Sequence, residues 1–265
     1  MVAALDPARL ICRDTASKPG RRIYLSPKNS PLKHITYGRI ILKNGMKPVV
    51  LRSKTHETGL ICMSGNARIL LDGRAHAVGM YDAVYLARGS RCEIRAAGRV
   101  DLIETSAQAR RATKSAFIPF AKVKEDPKLA IDRPQTPSAR SIFIQAGDNV
   151  DADRLVFGVT FSRPGNWTSW PPHEHAKTRE EIYVYFGMPK PAYGIQLVYD
   201  DPKKIHALAV RDGDVAIIPR GYHPNVACPT TTINFCWIMA ANRPVKDRGW
   251  GEVNIEPGFE TQKSR

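Results

Sequence analysis

No run of about eighteen apolar residues occurs in this 265-residue sequence, so it offers no helix that would span a bilayer. Its first ten residues, Met1 to Leu10, lack the basic start and apolar stretch of a secretory leader, and a cytoplasmic location is expected. Cysteine is sparse. Cys12, Cys62, Cys92, Cys228 and Cys236 are odd in number, scattered and without C-x-x-C spacing, which argues against a disulfide framework and fits reduced thiols. Cys62 and Cys236 lie in apolar runs and read as core filler. No zinc-finger, basic-zipper or aromatic RNA-binding pattern is present, although the formal net charge is +15. The cations are thinly spread, with the largest clusters at Arg21-Arg22 and Arg110-Arg111. Nucleic acid is therefore not an expected partner; a basic surface of this kind draws in small anions such as a sugar acid.

Helical periodicity longer than two turns is also missing. Short β-branched and aromatic runs recur instead, separated by turn signals such as Asp72-Gly73 and Arg88-Gly89-Ser90. Ile35–Leu42, Gly59–Met63, Ala67–Leu71, Ala83–Leu86, Cys92–Arg95 and Val100–Glu104 read as strands. Between residues 107 and 140 the character changes: four prolines and few apolar runs suggest a linker. The strand rhythm then restarts at Ser141–Ile144 and Leu155–Phe161. It continues through Glu181–Phe186, Gly194–Tyr199, Ala207–Val210, Val215–Ile218 and Thr232–Met239. The expectation is an all-β protein: a barrel at 1–106, a linker at 107–140 and a second barrel at 141–265. Similar length and rhythm in the two parts hint at duplication.

Chemistry concentrates in the second part. His173 and His175 are one residue apart, and on a strand they point to the same face. Glu180 and Glu181 follow, and His223 comes later in Pro-Arg-Gly-Tyr-His-Pro. Three imidazoles and a carboxylate suit a divalent first-row metal, with Zn, Mn, Fe, Co and Ni all compatible, and leave coordination positions open. Spacing favours Glu180 as the acidic ligand. The pleat only divides the choice: Glu181, Tyr183 and Tyr185 share one face, Glu180, Ile182, Val184 and Phe186 the other. The other four histidines, His34, His56, His76 and His206, have no partner at ligand spacing and read as structural. Trp167 and Trp170 read as core or rim residues. Tyr183 and Gln196 are candidate substrate contacts if Glu181 faces inward, with packing the competing reading. Arg220 and Tyr222 flank His223 and are further candidates, or residues that only close the barrel lip.

Gly165, His173, His175, the glutamate pair, Gly213-(x5)-Pro219-x-Gly221 and His223 together resemble the cupin signature, with the first glycine two residues too far away. More closely, the chain resembles the 5-deoxy-glucuronate isomerase family, related to 5-keto-4-deoxyuronate isomerase. The matching stretches include Asn29-Ser-Pro-Leu-Lys, Gly165-Asn-Trp-Thr-Ser-Trp-Pro-Pro-His-Glu-His, Ala209-Val-Arg-Asp-Gly-Asp-Val and Pro219-Arg-Gly-Tyr-His-Pro. The resemblance implies two tandem cupin (double-stranded β-helix, jelly-roll) barrels with one metal site, in the second. Alignment of Glu181-Ile-Tyr-Val-Tyr-Phe-Gly-Met-Pro with the relatives' corresponding run implies His173, His175, Glu181 and His223 as ligands. The loop from Ala176 to Glu180 is shorter than in inositol-pathway members.

Both families move a carbonyl along a deoxy-uronic acid chain by taking a proton from the carbon beside it. A divalent metal would stabilise the enediolate, and a base must carry the proton. Glu180, if turned inward, is one candidate base and a metal-bound hydroxide another, and Arg220, Tyr222 or Lys177 would hold the substrate carboxylate. The expected function is thus a metal-dependent ketol-isomerase, 5-deoxy-glucuronate to 2-deoxy-5-keto-gluconate in myo-inositol catabolism. The alternatives are 5-keto-4-deoxyuronate isomerase of pectin breakdown, a cupin dioxygenase, or a sugar-acid-binding cupin. Exposed sheet edges leave a homo-oligomer open.

Overall fold

The computed structural model describes residues 4–175 and 177–260. Among these the only helical segments are a 3-10 turn at Pro7–Arg9 and a short helix at Phe120–Glu125. Among the described residues no helix is long and apolar enough to cross a membrane. All else that is regular is strand, as β-branched and aromatic runs between tight turns dictate.

The C-terminal half is built on a seven-stranded sheet. Its order is Ile11–Cys12, Val215–Ile218, Arg179–Phe186, Asn234–Ala241, Leu155–Ser162, Arg140–Ala146 and Ala130–Arg133. A four-stranded sheet (Trp167–Thr168, Asn225–Ala227, Gly194–Val198 and His206–Val210) lies against one face. Tyr183, Tyr185, Phe235 and Trp237 point between these two sheets and meet Val198, Leu208 and Val210. The alternate residues Ile182, Val184, Cys236 and Ile238 point the other way, into a second core shared with Tyr37, Ile61, Tyr85 and Ile103 of the N-terminal half. A strand sandwiched on both sides has no solvent face, so every residue of Arg179–Phe186 is buried.

The N-terminal half is an eight-stranded sheet whose two longest strands, His56–Leu71 and Arg91–Gln108, pair with each other. Each was expected as two separate strands. They run continuously because bulges at Cys62/Ser64 and Gly65/Ala67 bend the pair without ending it. Gly65 is required at this bend: its φ is +73°, and an added Cβ would lie 1.8 Å from the Arg99 carbonyl oxygen. Over the bend, Ile40, Leu60, Ile69, Ile94 and Leu102 fill the interior with apolar side chains. Cys62 and Cys236 are fully buried, as their apolar settings predict.

Strand exchange redraws the expected domain boundaries. Ile11–Cys12 pairs with Val215–Ile218, so the start of the chain belongs to the C-terminal sheet. The expected linker is shared out: Ala116–Ile118 adds to the N-terminal sheet, and Ala130–Arg133 adds to the C-terminal one. These strands are too short and too proline-flanked to stand out by alternation.

Two glutamates fasten the halves reciprocally. Glu180 accepts hydrogen bonds from the backbone N–H groups of Lys33, His34 and Ile35, at 2.5, 2.8 and 2.7 Å, just before the strand Thr36–Lys43. Glu57 accepts from Asp153, Arg154 and Leu155, at 2.7, 2.6 and 2.7 Å, where the strand Leu155–Ser162 begins. Each half thus supplies a buried carboxylate that organises the start of a strand in the other.

Candidate metal centre

His173 stands on the short strand His173–Glu174, which pairs with Asn254–Ile255 near the end of the described chain. His175 follows, and Glu181 lies on the neighbouring strand Arg179–Phe186. His223 comes from the turn before Asn225–Ala227. The three imidazoles each offer a ring nitrogen, and these nitrogens lie within 4.8 Å of one another. Glu181 Oε2 is 3.0 Å from His175 Nε2 and 3.2 Å from His223 Nε2.

The surroundings set the imidazole tautomers. His173 Nδ1 is 2.9 Å from the Pro171 carbonyl oxygen, and His223 Nδ1 is 2.9 Å from that of Gly221. A carbonyl only accepts, so Nδ1 donates in both rings and Nε2 is the atom left to face the centre. Burial, then the neighbouring His223 and His175, push the His173 imidazole down to about 3. Burial also lowers His175, against the opposing pull of Glu181. For Glu181, burial alone would raise the carboxyl, but His175 and His223 hold it down to about 2. His173 and His175 are therefore held towards the neutral imidazole and Glu181 towards the carboxylate, the forms in which these groups bind a metal. The buried His223 Nε2 has no well-aligned hydrogen-bond partner, which further fits a site built for an ion.

His173, His175 and Glu181 open onto a cavity of about 220 Å³. Tyr183, Phe235, Trp170, Trp237 and Trp250 supply much of its wall. Tyr183 stacks on Phe235 with ring centroids 4.2 Å apart, and its hydroxyl shares a 2.7 Å hydrogen bond with Ser169. Its ring centroid is 5.7 Å from that of His223. Burial, then Glu181, raise the Tyr183 phenol well above its ordinary value, so it stays protonated. The chain's last described segment crosses the cavity: Trp250, Gly251, Val253 and Ile255 line it. Buried Arg179 anchors that segment by donating to the carbonyls of Asp247, Gly249 and Glu252.

Other sequence candidates sit elsewhere. Glu180 is on the opposite face from Glu181 and spends both oxygens on the backbone of residues 33–35. It is not turned inward, so the base role expected of it has no geometric support. Gln196 does not line the cavity; it donates to the carbonyl of His223 at 2.8 Å and accepts from Tyr185 at 2.5 Å, so it holds the His223 turn in place. Arg220 points to Asp200 at 2.7 Å, and the Tyr222 ring packs 5.4 Å from that of Tyr199. Neither lines the cavity, nor does the exposed Lys177. Trp170 is a wall residue, backed by Trp167 and by Phe259 at 5.2 and 5.4 Å. Arg133 and Arg140, which no motif singled out, do line the cavity.

The KduI/IolB family model matches residues 10–256. The chain belongs to that family. Among curated relatives, the 5-deoxy-glucuronate isomerase of Geobacillus thermodenitrificans is 37% identical over 86 residues, 29% of this chain and 31% of its own length. The match to the first relatives thus spans about a third of their length. The 5-deoxy-glucuronate isomerase of Lacticaseibacillus casei is 26% identical over 219 residues, 76% of this chain and 79% of that protein. A 4-deoxy-L-threo-5-hexosulose-uronate ketol-isomerase of Salmonella paratyphi A is 26% identical over 206 residues, 72% and 69% of the two chains. An IolB-like protein from Salmonella typhimurium has a similar fold, with TM-score 0.83 at 23% identity over 95% of this chain and 98% of that one. So does a cupin 2 conserved barrel domain protein from Leptotrichia buccalis, with TM-score 0.52 at 14% identity over 85% and 90%. This family member therefore has an all-β fold with cupin-like neighbours.

Proposed function

We propose that this KduI/IolB family member is a metal-dependent ketol-isomerase of a deoxy-uronic acid, with 5-deoxy-glucuronate as substrate and 2-deoxy-5-keto-gluconate as product. The observation that carries the reading is the convergence of His173, His175, His223 and Glu181 beside a cavity of about 220 Å³. That volume lies below the roughly 300–1,000 Å³ of drug-sized pockets and suits one monosaccharide. The names of the relatives supply the reaction class. We read the two halves as tandem jelly-roll barrels, with the site in the second.

Those four residues would hold a divalent ion, which when bound supplies a Lewis acid for the carbonyl and hydroxyl oxygens of the substrate. The chain's own contribution is orientation and proton control. Gln196 and the Gly221 carbonyl fix His223. Tyr183 keeps its proton and presents a hydroxyl inside the cavity, where it would donate to a sugar oxygen as charge develops. The aromatic wall and the Trp250–Ile255 segment exclude water from the reactive carbon.

Proton NMR of purified protein with 5-deoxy-glucuronate in deuterated water tests the reading. Ketose product carrying deuterium on its terminal hydroxymethyl carbon, the former aldehyde carbon, is expected. A second substrate, the 4-deoxy-5-hexosulose-uronate named for the Salmonella relatives, belongs in the same assay because they match this chain over a similar length. Failure to convert either acid would sink the isomerase assignment.

A further inference from the structure

Arg140 is half-buried and lines the same cavity as His173, His175 and Glu181. Its guanidinium donates to the carbonyls of Ser138 and Trp170, at 2.6 and 2.7 Å, which locks its direction and leaves further N–H groups to give. Among the described residues, no carboxylate comes within ion-pair distance of it. Among the described residues the fully buried arginines all have carboxylates nearby: Arg39 pairs with Asp101, while Arg154, Arg179 and Arg248 donate to backbone carbonyls, as Arg140 does, but lie in the field of Asp153 and Glu57, of Glu181 and Glu252, and of Glu57 and Asp148. Around Arg140 the neighbours are another cation, Arg133, and a phenol, Tyr183; burial first, and then Arg133, push its guanidinium down to about 10.

Arg133 is no distant neighbour. The two residues stand directly opposite each other on the antiparallel strands Ala130–Arg133 and Arg140–Ala146, and both line the cavity. Like charges paired across a sheet repel, so this placement costs stability unless an anion lies over both. It also faces a chamber where the buried Trp237 Nε1–H has no acceptor. Two guanidinium groups and an unpartnered indole N–H thus line the cavity, which suits a ligand rich in oxygen and negatively charged.

We propose that Arg133 and Arg140 form a carboxylate clamp that makes this cavity selective for open-chain sugar acids over neutral sugars. The inference rests on the isomerase reading only for the identity of the substrate. The carboxylate would take paired N–H donors from the two guanidinium groups, as planar forks do best. The carbonyl end of the same molecule would then be left for the histidine cluster. Trp237 would donate to a hydroxyl between them.

The test uses two unreactive open-chain probes, gluconate and glucitol, which differ chiefly in a carboxylate. Titration calorimetry on the metal-loaded protein should show gluconate binding about tenfold or more tightly than glucitol, the scale of one charge-assisted contact. Arg140→Gln and Arg133→Gln should each remove most of that preference while leaving glucitol binding and metal content unchanged, and Arg140→Lys should restore part of it. Arg140 also braces Ser138 and Trp170; should its glutamine variant misfold, Arg133→Gln carries the test, because the exposed Arg133 braces neither. Gluconate affinity unchanged in Arg133→Gln and in any folded Arg140→Gln, or no preference in the parent protein, would overturn the clamp. An arginine-dependent preference without turnover of either deoxy-uronate would sink the isomerase reading and keep the clamp. Turnover indifferent to both arginines would do the reverse.

Discussion

At the scale of single residues, His223 and Gln196 differ in kind. His223 offers a lone pair to the centre, whereas Gln196 donates to the carbonyl of His223 and never reaches the cavity. His223→Ala should abolish turnover and lower metal content. Gln196→Leu should lower kcat by about tenfold, the cost of a slightly displaced ligand, with metal still bound; equal losses in both variants, read by elemental analysis and kinetics, would contradict this division. The protonation states also predict an acid limb. His173 falls from an ordinary 6.5 to about 3, so between those values the unfolded chain holds more protons and the fold loses stability as pH drops. Glu181, lowered from 4.5 to about 2, has the same sign in its own window, because it must be protonated as pH falls. Thermal melts of the metal-stripped protein should therefore show Tm falling from pH 6.5 downwards, and His173→Gln should flatten the slope between pH 6.5 and 4.5. A slope unchanged by that substitution would count against a buried neutral imidazole.

At the scale of elements, the strand Arg179–Phe186 organises the molecule because its two faces do different work. Glu181, Tyr183 and Tyr185 face the site and the inner core, while Glu180 leaves by the other face to hold the strand start at residues 33–35. Glu180→Ala leaves three backbone N–H donors without their acceptor, that of Ile35 buried and those of Lys33 and His34 partly so, and should cost about 2 kcal/mol of stability, with little change in kcat at temperatures where the variant is folded. Glu57→Ala should behave alike. Denaturant melts beside kinetics would reveal a catalytic Glu180 if activity collapsed while stability held. The pleat of this strand was legible in the sequence, so the two faces could be written down. Which face met the histidines was not, because apolar Ile182 and Val184 and aromatic Tyr183 and Tyr185 fit a core equally well, and both sides proved to be core. His-x-His and Gly-Tyr-His-Pro announced the clustered imidazoles by spacing. Arg133 and Arg140 lay hidden because their meeting depends on a short strand between prolines, formed only by tertiary pairing. The same holds for Ile11–Cys12, a two-residue strand that no local pattern marks.

At the scale of the whole molecule, the halves are one cooperative structure. A shared apolar core, one exchanged segment and two reciprocal carboxylates join them. Gly59 shows how closely they approach: a Cβ there would lie 2.6 Å from Phe157 Cε1 of the other half. A fragment beginning near residue 141 would lose Ile11–Cys12 and Ala130–Arg133 from its sheet and expose Ile182, Val184 and Phe157. Such a fragment should fail to give a cooperative melt by circular dichroism. A stable, metal-binding fragment would mean the N-terminal half is dispensable to the fold. The N-terminal half, with its interior packed by aliphatic residues, acts on the site from behind by fixing the strand that bears Glu181.

The central claim is that three imidazoles and Glu181 hold one ion on which turnover depends. Elemental analysis of the parent protein before and after chelation, with deoxy-uronate isomerisation followed on the same samples, tests it most directly. The account predicts about one divalent metal per chain, loss of metal and activity together, and recovery of both when metal is returned. Full turnover by metal-free protein would contradict it.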